Sequence, residues 1–341
     1  ETLRLEIGAG DDTYQRIDAL NNKGLQNALH LNDSLSLEKR RSEYPKKILL
    51  VYVVGKETSS LDFPVGVYTL KNYLENTYPG QCIVEIKDVQ LDKMEDIINF
   101  VVDWKPHMIG LSLMVGSSER LEEFTSKLVS CMPQEEQPLL AVGKNVSTFS
   151  PFELLKKYPG LLCVRGEGEL AMGGLLEYLE GKTELQKIPN IVYLDGDNPI
   201  ETKRELLTGF HLIGKLDYSF AQQYISRGGN MWMETTRGCP WGHCTFCSTK
   251  AFWGTVVWRS KPIETIVEEL KDMEKLGVKR VTLTDEEFFG YGMEGVERAK
   301  EMALAIIKSG VKISFYANAR ADDVYNNDDN PEDRKKRIET L

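Results

Sequence analysis

From residue 47 onward, short β-branched apolar runs alternate with amphipathic stretches. The run over 47–54 reads as a strand. Over 64–76, Val67, Leu70 and Leu74 recur at helical spacing, and Pro64 suits a first helical turn. Further strands are expected over 82–86, 108–114, 138–142 and 161–164, with helices over 92–104, 118–131, 152–158 and 169–179. Such βα units build an α/β fold, a Rossmann-like doubly wound parallel sheet with right-handed crossovers. Ligands of these sheets lie beyond the carboxyl ends of the strands. The stretch 196–230 mixes Asp, Asn, Pro and Gly with isolated hydrophobics and reads as an interdomain linker. Its Phe210, Leu212, Tyr218 and Phe220 imply that it packs against a domain rather than running free. The alternation then resumes, with strands over 231–235, 280–284 and 312–317 and helices over 262–276 and 293–309, before an acidic stretch over 322–333.

Length and charge narrow this picture. At 341 residues about two domains are expected. Residues 1–46 are polar and turn-rich, with a helix expected over 11–31 and a charged run at 38–41, and read as a linker or the tail of a preceding domain. The net charge of −10 supplies no basic field for a nucleic-acid backbone, so a long polyanion is not an expected partner, whereas a single nucleotide remains open as a substrate. No apolar run approaches the roughly 20 residues of a membrane span and no leader pattern opens the chain, which makes the expected location cytoplasmic. The chain starts at Glu1 without methionine and reaches only three strands of its second unit, so it reads as a piece of something longer.

Candidate chemistry concentrates in Arg237-Gly-Cys-Pro-Trp-Gly-His-Cys-Thr-Phe-Cys-Ser248. Cys239, Cys244 and Cys247 fall in a loop that Pro240 and Gly242 keep out of regular structure. Three local thiolates suit an iron–sulfur cluster, and a four-iron cubane held by three cysteines keeps one iron for a ligand that is not protein. A structural zinc site is the alternative, with His243 or a remote residue as fourth ligand, although no second ligand pair follows at zinc-finger spacing. Cys82, Cys131 and Cys163 stand singly in apolar segments and read as free thiols. Small residues end the expected strands of the first unit: Gly55, Ser112 to Ser118 including Gly116, Gly143 with Lys144, and Gly166-Glu-Gly168. They either let backbone approach a flat cofactor or simply punctuate the fold.

The cysteine loop, with Phe246 just before its last thiol, resembles the cluster loop of the radical S-adenosylmethionine (SAM) superfamily, although its first gap holds four residues where three are usual. The stretch 47–195 is similar to the cobalamin-binding domain of the B12-dependent branch, through Phe63-Pro-Val-Gly66, Lys105-Pro-His-Met-Ile-Gly110 and Val164-Arg-Gly-Glu-Gly-Glu169. Gly143-Lys144 departs from the paired glycines common in that branch, and the motif that supplies a histidine to cobalt elsewhere is absent; His107, at a strand start, reads as structural. The resemblance implies that 231–341 is the N-terminal part of a partial (β/α)6 TIM-like radical SAM barrel. It implies Cys239, Cys244 and Cys247 as ligands of a [4Fe–4S] cluster. For SAM it points to Phe246, Asp285, Glu286, Asn318 and Arg320, and for cobalamin to Ser112, Gly116, Gly143, Gly166, Glu167 and Gly168. The implied activity is an enzymatic one, cleavage of SAM to a 5′-deoxyadenosyl radical for methyl transfer to an unactivated carbon in biosynthesis. Radical rearrangement or ring contraction of a nucleotide (oxetanocin-type) is the alternative, and a non-enzymatic cluster- or zinc-binding module is a third. The implied partners are a small molecule, such as a nucleotide or antibiotic precursor, and an electron donor such as flavodoxin or ferredoxin. A methylthiotransferase is not expected, since Cys82, Cys131 and Cys163 do not cluster in sequence.

Overall fold

A computed structural model describes residues 43–326 and 329–340. The helix expected over 11–31 and the charged run at 38–41 lie outside the described residues. Seven strands form the larger sheet, in the order β2-β1-β3-β4-β5-β6-β7. They are β1 (Lys46–Val53), β2 (Cys82–Asp88), β3 (Met108–Leu113), β4 (Leu139–Gly143), β5 (Leu162–Val164), β6 (Ile191–Asp195) and β7 (Asn198–Glu201). Strands β1 to β5 are parallel, with Ile48 opposite both Val84 and Met108. The β6–β7 hairpin continues the sheet antiparallel, so the stretch read as a linker from 196 opens inside sheet structure.

The parallel strands read as continuous apolar runs because both their faces are covered. Successive side chains of β1 point to opposite sides: Leu49 and Val51 enter one core with Ile97, Ile109 and Phe124, while Ile48 and Leu50 enter the other with Met108, Leu175 and Leu176. The covering helices are α1 (Val65–Thr77), α2 (Met94–Trp104), α3 (Ser118–Cys131), α4 (Asn145–Phe149), α5 (Pro151–Lys157) and α6 (Glu169–Leu179). Burying a side chain such as Phe124 or Leu175 contributes about 1.5–3 kcal/mol relative to leaving it exposed. The strand order reverses direction between β1 and β3, and the loops after these two strands touch there: a Cβ on Gly55 would lie 2.9 Å from the Gly116 carbonyl oxygen.

The chain then crosses in two short helical turns and α7 (Gln222–Ile225) to a second sheet. In the crossing stretch Phe210 and Tyr218 are buried as expected, whereas Phe220 is 45% exposed, with its ring beside that of Tyr68 at 5.6 Å between centroids. The second sheet holds β8 (Trp232–Met233), β11 (Arg280–Leu283) and β12 (Ser314–Tyr316), parallel, in the order β12-β11-β8. Its helices α9 (Ile263–Lys275) and α10 (Gly292–Ser309) bury Leu270, Met273, Val296 and Met302 against Met233, Val281 and Leu283. Phe63, Val65 and Tyr68 of the first unit enter this same core beside Tyr218 and Tyr224. The two sheets thus share apolar contact, reinforced by a 2.8 Å bond from Asn230 Nδ2 to Asp62. A separate hairpin, β9 (Thr236–Cys239) with β10 (Val257–Ser260), stands between them, and α8 (Thr249–Trp253) lies within the hairpin's connection. The final helices are α11 (Ala321–Val324) and α12 (Pro331–Thr340).

Candidate active site

The strand expected over 231–235 ends two residues early at Met233, and the cysteine loop issues from β9 instead of from the first parallel strand. The reason is a contact made through space. Asp285, just beyond β11, accepts the amides of Thr235 and Thr236 at 2.8 and 2.9 Å and the Thr235 hydroxyl, which pulls the chain out of the sheet. Gly238, at φ +89°, then lets β9 pair tightly with β10, since a Cβ there would overlap the Val257 carbonyl. Cys239 ends β9 half-buried, while Cys244 and Cys247 are exposed, and all three are free thiols. The Cys247 amide donates to the Cys244 carbonyl at 3.2 Å, and its thiol to Thr249 Oγ1 at 3.2 Å. Cys244 and Cys247 line a shallow depression of about 490 Å³ with Gly242, His243 and Lys250. No three His, Cys, Asp or Glu side chains stand together as a ready metal cage among the described residues, so the loop would have to wrap whatever it binds. Three soft ligands on one exposed loop fit an iron–sulfur cluster, and His243 meets only the edge of Trp241 among described rings, at 5.3 Å.

A cavity of about 640 Å³ opens where the carboxyl ends of the two sheets converge. Leu50, Met114 and Met172 supply apolar wall from the first unit, Trp232 from the second sheet, and Phe252 and Trp253 from α8, while Glu234 adds a carboxylate just beyond β8. Of the residues expected to contact cobalamin, Ser112, Gly143, Gly166, Glu167 and Gly168 line this cavity, and Gly116 is not among its lining residues. Gly166, at φ +72°, has a further duty: a Cβ there would lie 2.5 Å from Arg204 Nη2 and 2.8 Å from the Phe252 carbonyl, so its smallness is what brings α8 against the first unit. Glu167 is engaged by arginines. Its carboxylate accepts Arg237 Nη1 at 2.7 Å, Arg259 Nη1 at 3.1 Å and the Leu207 amide at 2.8 Å.

The residues expected to contact SAM separate. Glu286 lines the cavity and accepts the Gly238 amide at 2.9 Å and Trp253 Nε1 at 3.2 Å, with burial pushing its carboxyl pKa up. Asp285 is fully buried beneath it, its pKa raised by desolvation to about 6 despite the three donors it accepts. Asn318 donates to the Asp285 carbonyl at 3.0 Å, and Arg320 pairs with Asp323 at 3.1 Å and Asp322 at 3.3 Å. Phe246 projects from the cluster loop, 90% exposed. Neither Asp285, Asn318, Arg320 nor Phe246 is among the cavity's lining residues.

Sequence reading passed over the charged groups that join the two units. Arg237 is buried, and besides Glu167 it reaches Glu169 at 2.7 Å and Glu234 at 2.9 Å, with Phe210 beneath its guanidinium. The three carboxylates hold the Arg237 pKa well above its ordinary value, and burial raises that of Glu169. Glu167 and Glu169 precede Arg237 by 70 and 68 positions, a pairing with no local pattern to reveal it. Of the remaining cysteines, Cys82 and Cys163 are buried in different cores and Cys131 is exposed, so they do not converge.

The model of the radical SAM superfamily matches residues 233–338. Over 275 residues the chain is 29% identical to 4′-phospho-dehydrooxetanocin synthase of Priestia megaterium, covering 75% of this chain and 35% of that protein. The solved structure of the cobalamin-dependent SAM radical enzyme OxsB, with aqua-cobalamin and SAM bound, superposes with a TM-score of 0.79 at 25% identity, covering 87% of this chain and 42% of that one. Residues 233–338 therefore carry a radical SAM domain, and the chain shares its fold with a cobalamin-dependent radical SAM enzyme. Another relative is the hopanoid C-3 methylase of Methylococcus capsulatus, 27% identical over 244 residues, 70% of this chain and 45% of that protein. The chain therefore spans less than half the length of these curated relatives. Among the described residues no helix is long and apolar enough to cross a membrane.

Proposed function

We propose that this chain carries the cofactor-binding part of an enzyme that uses a [4Fe–4S] cluster, SAM and cobalamin for radical chemistry at a carbon centre. The observation that carries the reading is the apolar cavity at the joined strand ends of both sheets, walled on one side by the helix that follows the three-thiol loop. Its volume, about 640 Å³, lies in the range of small-molecule sites. Residues 47–195 would form the cobalamin side and 231–341 the SAM side. When bound, the three groups supply reductive cleavage of SAM and a transferable methyl or a radical rearrangement; the protein supplies binding, orientation and exclusion of water. Cys239, Cys244 and Cys247 would hold three irons, and the exposure of the loop allows a flavodoxin- or ferredoxin-type donor to approach. Glu286, already at the cavity wall, is the carboxylate placed to meet an ammonium group. Ser112, Gly143 and Gly168 keep the wall low where a flat ring system would lie.

Methyl transfer to an unactivated carbon is the leading outcome. Rearrangement of a nucleotide is the second, favoured by the likeness to the oxetanocin synthase. Incubation of the full-length protein with SAM labelled at its methyl group, cobalamin and reductant separates them: label in the product shows methylation, and 5′-deoxyadenosine with an unlabelled product shows rearrangement. Zinc uptake with no iron on anaerobic reconstitution would overturn the reading.

A further inference from the structure

Lys144 stands at the end of β4 with φ +76° and ψ −155°, a backbone region that is essentially restricted to glycine. A lysine held there strains the fold, and such strain persists where surrounding structure over-determines it. Its side chain lines the cavity. Glu234 and Glu286 attract its ammonium through space but form no ion pair with it, and Glu234 is held by Arg237 through both oxygens. Among the described residues the Lys144 ammonium meets no hydrogen-bond or ion-pair partner, and the residue is exposed. A cation held on strained backbone at the wall of this cavity, with no ion-pair partner among the described residues, fits a ligand that brings its own negative charge.

We propose that the Lys144 ammonium is the binding group for a phosphate ester of the cavity's ligand. The inference rests on the cavity being the corrinoid site, and two sources offer this chemistry: the phosphodiester in the nucleotide tail of cobalamin, and the phosphate of a phosphorylated nucleoside. A charge-assisted contact of ammonium and phosphate is among the stronger hydrogen bonds, and its loss weakens binding by about tenfold or more.

The test titrates the whole protein and its Lys144→Met, Lys144→Arg and Lys144→Gly variants by absorbance with hydroxocobalamin and with cobinamide, which lacks the nucleotide tail, and by calorimetry with a deoxynucleoside 5′-monophosphate. Binding of either corrinoid by the unaltered protein establishes the corrinoid site independently of Lys144. The expected result is that Lys144→Met and Lys144→Gly weaken hydroxocobalamin about tenfold, that Lys144→Arg retains most of the affinity, and that cobinamide binds all four proteins equally. Loss confined to the nucleotide would also support the phosphate site and assign it to the substrate. Equal weakening of both corrinoids, or no change with any ligand, would overturn the proposal. Lys144→Gly also relieves the backbone strain, so its ligand-free form should melt a few degrees higher than the unaltered protein, which separates lost binding from lost folding.

Discussion

Asp285 shows how a residue can be chemically well chosen for one role and structurally committed to another. A carboxylate at the end of a barrel strand suits an ammonium ligand, yet here its oxygens accept two backbone amides and a hydroxyl and hold the turn from which β9 departs. Burial raises its pKa to about 6, above the unfolded value of about 3.9. The protonated form is therefore favoured by folding, so this group's contribution is full below pH about 4 and is lost as pH rises through about 6. Asp285→Asn preserves the arrangement, because the amide oxygen accepts both N–H groups and the amide nitrogen can donate to the Thr235 hydroxyl. That variant is expected to fold and to lack this component of the pH dependence, seen as a flatter difference in urea midpoint between pH 4 and 6.5. Asp285→Ala leaves two buried N–H donors unpaired and is expected to cost about 2–4 kcal/mol in the same measurement. Equal pH profiles for the unaltered protein and the Asn variant would contradict the assignment.

At the scale of elements, the β9–β10 hairpin and α8 present the thiols, and their geometry hangs on one glycine. Gly238 stands at φ +89° against the Val257 carbonyl, backbone that cannot rotate away. Gly238→Ala should break the Cys239–Val257 rung and displace the first thiol from the other two. The expected outcome is anaerobic reconstitution well short of about four irons per chain, with far-ultraviolet dichroism almost unchanged because the larger sheet is untouched. Full iron uptake by this variant would show that the hairpin does not position the loop. The regular helices were legible in advance, α3 and α6 to the residue, since apolar positions at helical spacing report a buried face directly. The hairpin was not, because two four-residue strands contain too few positions to show a period, and Asp285, which diverts the chain into them, lies 50 residues away.

For the molecule as a whole, Arg237 couples the two sheets. If it were removed, the buried Glu169 and the half-buried Glu234 would lose their arginine and Glu167 would keep only Arg259 and the Leu207 amide, so Arg237→Met is expected to destabilise by about 3–5 kcal/mol. The deficit should be greater at pH 7.5 than at pH 5, because Glu169, whose pKa burial already raises, can neutralise itself by taking up a proton. Hydrogen exchange should show faster opening in the stretch 202–231 and around Glu167 and Glu169, with the centre of the larger sheet still protected. A uniform change across the chain would instead mean that the halves do not separate along this line.

What the sequence determined by itself is whatever is encoded locally: the doubly wound order, through apolar runs and helical periods, and the three cysteines, through their spacing in a loop broken by Pro240 and Gly242. Only the tertiary structure decided that Gly166 makes room for α8, that Glu167 answers Arg237 and Arg259, that Asp285 is enclosed while its neighbour Glu286 reaches the cavity, and that Lys144 faces that cavity without an ion-pair partner among the described residues. These outcomes depend on which strand ends meet across two sheets. Charge pairing and close approach act through space, between residues tens of positions apart, and leave no period or spacing in the chain that could announce them.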